Sequence, residues 1–219
     1  MISSGEEYVD SLRGRKLNVY LFGELIQDPV EHPIIKPSIN ALAKTYDLAN
    51  KNPDLATAVS PYTNERINRF LHIVESEKDL ILQNKMQRKL GQLTGTCFQR
   101  CVGMDAINSL HSVTFDIDQA HNTNYHKKFL SFLTSVQKQG LVIGGAMTDV
   151  KGDRSLLPHQ QEDPDLFVHV VDRSDDGVFI TGAKAHQTGV INSHWMIVMP
   201  TLRLTEDDKE YAIVGAIPV

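Results

Sequence analysis

Two cysteines, Cys97 and Cys101, stand four residues apart in TGTCFQRCVGMDA and are the only thiols of the 219-residue chain. Converging thiolates suit a soft metal or an iron-sulfur cluster, whereas a disulfide framework needs more cysteines and an oxidising compartment. A cubane cluster takes about four protein ligands, so this pair would be half a site, completed by histidines, another segment or another chain. Zinc competes, although its structural sites commonly use closer C-x₂-C pairs. Two core cysteines acting as small hydrophobes are a third reading, and spacing alone leaves all three open.

Two further segments carry polar groups at high density. GGAMTDVKGDRS (144–155) combines small residues that expose backbone N–H groups with Thr148, Asp149, Asp153 and Arg154, a mixture suited to a flavin or a phosphate-bearing cofactor. GAKAHQTGVINSH (182–194) offers Lys184, His186, Gln187, Thr188, Asn192, Ser193 and His194 on a loop between strands, where such groups are commonly displayed. Taken singly, both also fit turn-rich surface loops. The chain has no G-x-S-x-G, H-E-x-x-H or paired-carboxylate motif, which leaves hydrolase chemistry without support.

The elements that must position these groups follow from periodicity. Ser4 with Glu7 is a capping-box pattern opening a helix with Tyr8 and Leu12 on one face. Pro37 and Ser38 open a second helix, with Ile39, Leu42, Tyr46 and Ala49 on its apolar stripe, and Ser76 with Asp79 opens a third carrying Leu82, Met86 and Leu90. Gly95 permits a bend, after which a helix over about 96–110 would place Cys97, Cys101, Met104 and Asn108 on one face. A last helix, with Tyr125, Phe129, Phe132 and Val136 buried, ends at Gly140. Beyond it the period turns strand-like at 141–143, 166–171, 178–181, 194–199 and 211–216, with Asp176-Gly177 as a hairpin signal. The expectation is an α+β chain, helical over 1–140 and β over 141–219. Its finish in AIVGAIPV, an apolar strand with no element behind it, reads as the front part of something longer.

Composition narrows the partners. A net charge of −5 and a pI near 6.0 provide no basic stripe for a nucleic-acid backbone. The longest apolar runs, at 195–199 and 212–219, fall far short of the roughly 20 residues that span a bilayer. MISSGEEYVD has neither the basic nor the apolar region of a secretory signal, so a cytoplasmic protein with reduced thiols is expected.

Together, CFQRCVGMDA, GAMTDVKGDRS and GAKAHQTGVINSHWMIVMPT resemble the 4-hydroxyphenylacetate 3-hydroxylase family of flavoproteins, in the branch that dehydrates 4-hydroxybutyryl-CoA. The resemblance runs from SGEEYVDSLR to the last residue and includes NRFLHIVES and KMQRKLGQ. It implies an acyl-CoA-dehydrogenase-like architecture: an N-terminal helical domain, the start of a β-barrel-like middle domain, and a C-terminal helical bundle outside this chain, assembled as a homotetramer. The implied reaction converts 4-hydroxybutyryl-CoA to crotonyl-CoA and isomerises vinylacetyl-CoA, using flavin radical chemistry on FAD and a [4Fe-4S] cluster. In the resemblance Cys97 and Cys101 match two of the cluster's cysteines, and its remaining His and Cys ligands lie beyond Val219. Gln99 then lies near the substrate and Thr188 contacts the flavin, while Met147, Thr148, Asp149, Arg154, His186 and Gln187 fall in flavin-binding loops. The catalytic base would not be on this chain, which is expected to be inactive alone. An FAD-dependent aromatic monooxygenase of the same family is the alternative reading, and a truncated, non-catalytic chain is the third.

Overall fold

The computed structural model describes residues 1–175 and 177–219, so Asp176 of the expected hairpin signal lies outside the described residues. Helix α1 (Gly5–Ser11) starts where Ser4 Oγ accepts the Glu7 N–H at 3.1 Å. It lays Tyr8 and Leu12 against Ile39, Leu42 and Tyr46 of α2 (Lys36–Lys51), whose first turn contains Pro37. Between them, β1 (Val19–Leu21) and β2 (Glu24–Ile26) form an antiparallel hairpin. A one-turn helix, α3 (Pro53–Ala56), leads into a second hairpin of β3 (Thr57–Val59) and β4 (Arg66–Asn68). Both hairpins correct the expectation that the first 140 residues are helical throughout. Their strands are three residues long, too short for an alternating pattern to register.

Three longer helices follow. α4 (Glu77–Thr94) opens on Ser76, whose Oγ accepts from Asp79 N, and closes on Gly95 in the left-handed conformation. α5 (Cys101–His121) and α6 (Tyr125–Gln139) end on Asn122 and Gly140, also left-handed, as C-terminal caps require. Of the expected α6 stripe, Phe129 and Val136 are buried and Phe132 packs edge-on to Trp195 at 5.3 Å, but Tyr125 is exposed.

Strands β5 (Ile143–Ala146), β8 (Trp195–Val198) and β9 (Gly215–Pro218) form a sheet ordered β5-β8-β9, with β5 parallel to the central β8 and β9 antiparallel. Strands β6 (His169–Ser174) and β7 (Gly177–Thr181) pair separately, so the described residues after Gly140 form two small sheets and no closed barrel. The apolar run expected as a strand over 211–216 enters as a 3-10 turn through Tyr211, and pairing begins only at Gly215.

The largest core cluster joins Ala106 and Ile107 of α5, Phe129, Leu133 and Val136 of α6, and Ile143 and Ile197 of the sheet. This contact is close because of glycine. A methyl at Gly103 would sit 2.0 Å from the Ile143 carbonyl oxygen, and one at Gly145 would sit 2.3 Å from Val102 Cγ1. The start of α5 therefore rests directly on β5. Gly103→Ala is expected to destabilise the chain by about 1–3 kcal/mol, as overpacking does. Gly91→Ala on α4, where a methyl meets nothing within 4 Å, should be neutral or stabilising. Urea midpoints of the two variants check the contrast.

Candidate functional site

The cysteines do not share a helix face. α4 ends at Thr94 and α5 begins at Cys101, so residues 96–100 form an irregular turn with Cys97 on it, which corrects the expected 96–110 helix. Tertiary anchors account for the break. Gln99 is left-handed (φ 57°), a conformation no helix accommodates, and the residues on either side of it are drawn inward. Phe98 packs on Phe70 at 5.5 Å, and the guanidinium of Arg100 lies 4.9 Å from the ring centres of both Tyr46 and Phe70. Arg100 is 2% exposed; its Nη1 donates to Thr45 Oγ1 at 2.9 Å, and its Nη2 has no partner among the described residues.

Both thiols are free, Cys97 exposed and Cys101 half-buried. Burial pushes the Cys101 thiol up from its ordinary value, and the neighbouring Cys97 adds to the shift. Cys97 Sγ accepts the Gln99 N–H at 3.4 Å. Among the described residues no group of three or more His, Cys, Asp or Glu converges as a metal site.

The thiol turn meets the 182–194 loop. Gln99 Oε1 accepts from Asn192 Nδ2 at 2.8 Å, and Gly189 approaches so closely that a methyl there would lie 2.4 Å from the same oxygen. Tyr8 donates its hydroxyl to the Asn192 carbonyl at 2.7 Å, and Arg15 donates to the carbonyls of Ser193, at 2.7 Å, and Ile191. His194 closes this cluster: Nδ1 accepts from Val142 N at 3.0 Å and Nε2 faces Ser11 Oγ at 2.9 Å. Because Nδ1 accepts, the ring proton sits on Nε2. Burial, then the positive charges of Arg15 and Arg100, push the His194 pKa down to about 4. Asn192, Ser193 and His194 are thus committed within the fold rather than displayed along the loop's edge, as their sequence setting led one to expect.

The two polar loops are joined by an ion pair. Lys184 Nζ donates to Asp149 Oδ1 at 2.5 Å, to the Met199 carbonyl at 2.6 Å and to the Met147 carbonyl at 3.1 Å. The other Asp149 oxygen accepts from Thr201 N and Oγ1 at 3.0 and 2.9 Å, so both carboxylate oxygens are occupied. Gln187 Nε2 donates to the Thr148 carbonyl at 2.9 Å. Beside this staple lies an open cavity of about 500 Å³, lined among others by Thr148, Asp149, Arg154, Phe167 and Arg203. Met147, His186 and Thr188 are exposed, His186 with a left-handed backbone (φ 55°).

The structure therefore brings Thr148, Asp149 and Arg154 to one cavity, and Gln99 to the 182–194 loop. Arg100, Arg15, Tyr8 and Ser38 escaped sequence reasoning as parts of this site. The one signal was Arg100 itself, with no acidic residue within four positions to pair it.

Residues 4–219 match the family described as 4-hydroxyphenylacetate 3-hydroxylase N terminal, and the chain belongs to that family. It is 51% identical over its whole length to a 4-hydroxybutyryl-CoA dehydratase/vinylacetyl-CoA-Delta-isomerase from Clostridium aminobutyricum, 45% of which it covers. An oxygen-tolerant archaeal 4-hydroxybutyryl-CoA dehydratase from N. maritimus superposes with a TM-score of 0.96 at 67% identity, over all of this chain and 44% of that one. The FAD complex of the oxygenase component of 4-hydroxyphenylacetate 3-monooxygenase shares the fold, with a TM-score of 0.79 at 20% identity, over 98% of this chain and 44% of that one. The chain spans less than half the length of these relatives.

Two outcomes test this geometry. His194 is neutral in the fold, with a pKa near 4 against an ordinary 6.5, so between those values the unfolded chain binds more protons. Its stabilising contribution is complete above pH 6.5 and lost as the pH falls through about 4, by up to roughly 3 kcal/mol. Thermal melts from pH 7 to 4 should show this decline, flattened in His194→Asn. Asp149→Ala would leave the Lys184 ammonium buried and unpaired, which should cost about 3–5 kcal/mol in chemical denaturation.

Proposed function

We propose that the chain forms the N-terminal part of a dehydratase that converts 4-hydroxybutyryl-CoA to crotonyl-CoA and isomerises vinylacetyl-CoA. The observation that carries this reading is the pair of free thiols, Cys97 on the turn before α5 and Cys101 at the first position of that helix, in a chain 51% identical to an enzyme of that name.

The residues present fit half of an iron-sulfur site. Cys97 is accessible and Cys101 half-buried beside it, and neither is used in a disulfide. They would supply two of about four ligands, the others coming from outside these 219 residues. We assign FAD to the cavity beside the Asp149–Lys184 staple, where Thr148 and Arg154 offer a hydroxyl and a cation in the lining. Met147, Asp149, His186, Gln187 and Thr188 complete the surroundings we assign to it. When bound, the cluster supplies a Lewis acid for the leaving hydroxyl and FAD supplies a redox-active ring.

This chain's own residues bind and orient. Cys97, on the irregular turn that Arg100 and Phe98 pin to the core, and Cys101, at the first position of α5, would hold the metal. Asp149 and Lys184 fix the spacing of the two flavin loops. We assign Gln99 to the substrate and Thr188 to the flavin ring, and we place the general base outside this chain. The same reading divides the protein into a helical domain at 1–140 and an incomplete middle β domain at 141–219, within an acyl-CoA-dehydrogenase-like, cytoplasmic homotetramer. An aromatic monooxygenase is the less supported reading: relatives named for such reactions are only 20–26% identical, for example those from Geobacillus, Thermus and Rhodococcus.

In the full-length protein, Cys97→Ala is expected to remove most of the iron and the dehydratase activity while leaving bound FAD close to the wild-type amount. Iron analysis and flavin absorbance of anaerobically purified protein make the comparison. Wild-type iron content in the variant would sink the assignment.

A further inference from the structure

We infer that Asn192 is a positioning residue that decides which end of the Gln99 amide faces the acyl-CoA substrate, an inference that rests on the placement of Gln99 proposed above. Asn192 is fully buried. The direction of its hydrogen bonds follows from a proton count that begins two elements away. Ser38 has one hydroxyl proton and donates it to the Ile35 carbonyl at 2.8 Å. Toward Asn192, 3.0 Å away, the same oxygen can then only accept, so the group facing it is the Asn192 NH₂. The second proton of that NH₂ goes to Gln99 at 2.8 Å, and Gln99 must answer with its carbonyl oxygen. The Gln99 carbonyl is thereby consumed, and its own NH₂, with two donors, is the end left for a ligand.

The relay cannot easily slip. Tyr8 holds the Asn192 carbonyl, Arg15 holds the carbonyls on either side of it, and Gly189 closes on Gln99 Oε1. Asn192 Oδ1 stays buried with no partner among the described residues, which is the cost of keeping this orientation. A donor suits an acyl-CoA substrate, because a thioester oxygen gains negative charge when the neighbouring carbon is deprotonated. The carbonyl end of the same side chain would repel that charge.

The test uses full-length protein carrying Gln99→Ala, Asn192→Asp, and both. Asn192→Asp keeps the shape but replaces the donor with an acceptor, so Gln99 turns its NH₂ inward and its carbonyl outward. We expect kcat to fall on the order of 10²-fold with KM changed by less than about threefold. FAD and iron contents should match the wild type, and the double variant should be no slower than the slower single variant. Ser38→Ala frees the relay without touching Asn192. It should also lower kcat, again without adding to Gln99→Ala, and it stands in if Asn192→Asp does not fold. A fully active Gln99→Ala would overturn the placement of Gln99 and this inference together. An impaired Gln99→Ala beside active Asn192→Asp and Ser38→Ala variants, or losses that multiply in the double variant, would overturn this inference alone.

Discussion

The close seating of the first turn of α5 on β5 is the constraint on which the rest of the site depends. Gly103 lets the helix backbone reach the Ile143 carbonyl, Gly145 receives Val102, and Gly144 leaves room for Met196 and Ser193. At this separation the residues just before α5 come within hydrogen-bond range of the loop that leads into β8, and Gln99 meets Asn192. Side chains at those glycines would hold helix and sheet apart. The thiol turn and the 182–194 loop would then lose contact.

Behind that contact lies an unusual balance of charge. Arg100 and Arg15 are set among aromatic faces, a hydroxyl and backbone carbonyls, with no carboxylate as partner among the described residues. Burial lowers the pKa of both arginines from their ordinary value, yet a guanidinium titrates so high that each stays charged. Contacts with two ring faces favour a desolvated Arg100 by on the order of 2 kcal/mol each. Burial, reinforced by the same two cations, keeps His194 neutral, which frees its Nδ1 to accept from Val142 and lock β8 beside β5.

The two polar loops solve a different problem. They emerge from strands of different pairing partners, and an ion pair at 2.5 Å between Asp149 and Lys184 ties them, with Lys184 also satisfied by two carbonyls and Asp149 by Thr201. A buried pair of this kind contributes little net stability, but removing either member leaves an uncompensated charge. Its role here is geometric. It fixes how far apart the two loops stand, with Asp149 also on the wall of the cavity beside the first of them.

Much of the local structure was legible in the sequence, because caps and turns are local chemistry. Ser4, Ser76 and Gly140 mark the helix ends they were expected to mark, and Tyr8, Ile39, Met86 and Phe129 of the expected stripes are buried. The three segments singled out for their thiols and polar residues also come into contact, in that Gln99 touches the third and the second and third share the Asp149–Lys184 pair. The turn at residues 96–100 could not be read this way. Its sequence is compatible with a helix, and what breaks that helix is the pull of Phe98 and Arg100 into a slot built by Thr45, Tyr46 and Phe70, residues some 28 to 55 positions away. The roles of Asn192 and His194 were hidden for the same reason. A polar side chain on a loop reads as available, and only the arrival of Ser38, Tyr8, Arg15 and Val142 from distant elements commits it. The sequence alone determined most of the helix caps and apolar stripes, since those depend on neighbours within a turn or two. Where the polar groups point was decided by tertiary packing, because a buried donor or acceptor must take whatever partner the fold places beside it.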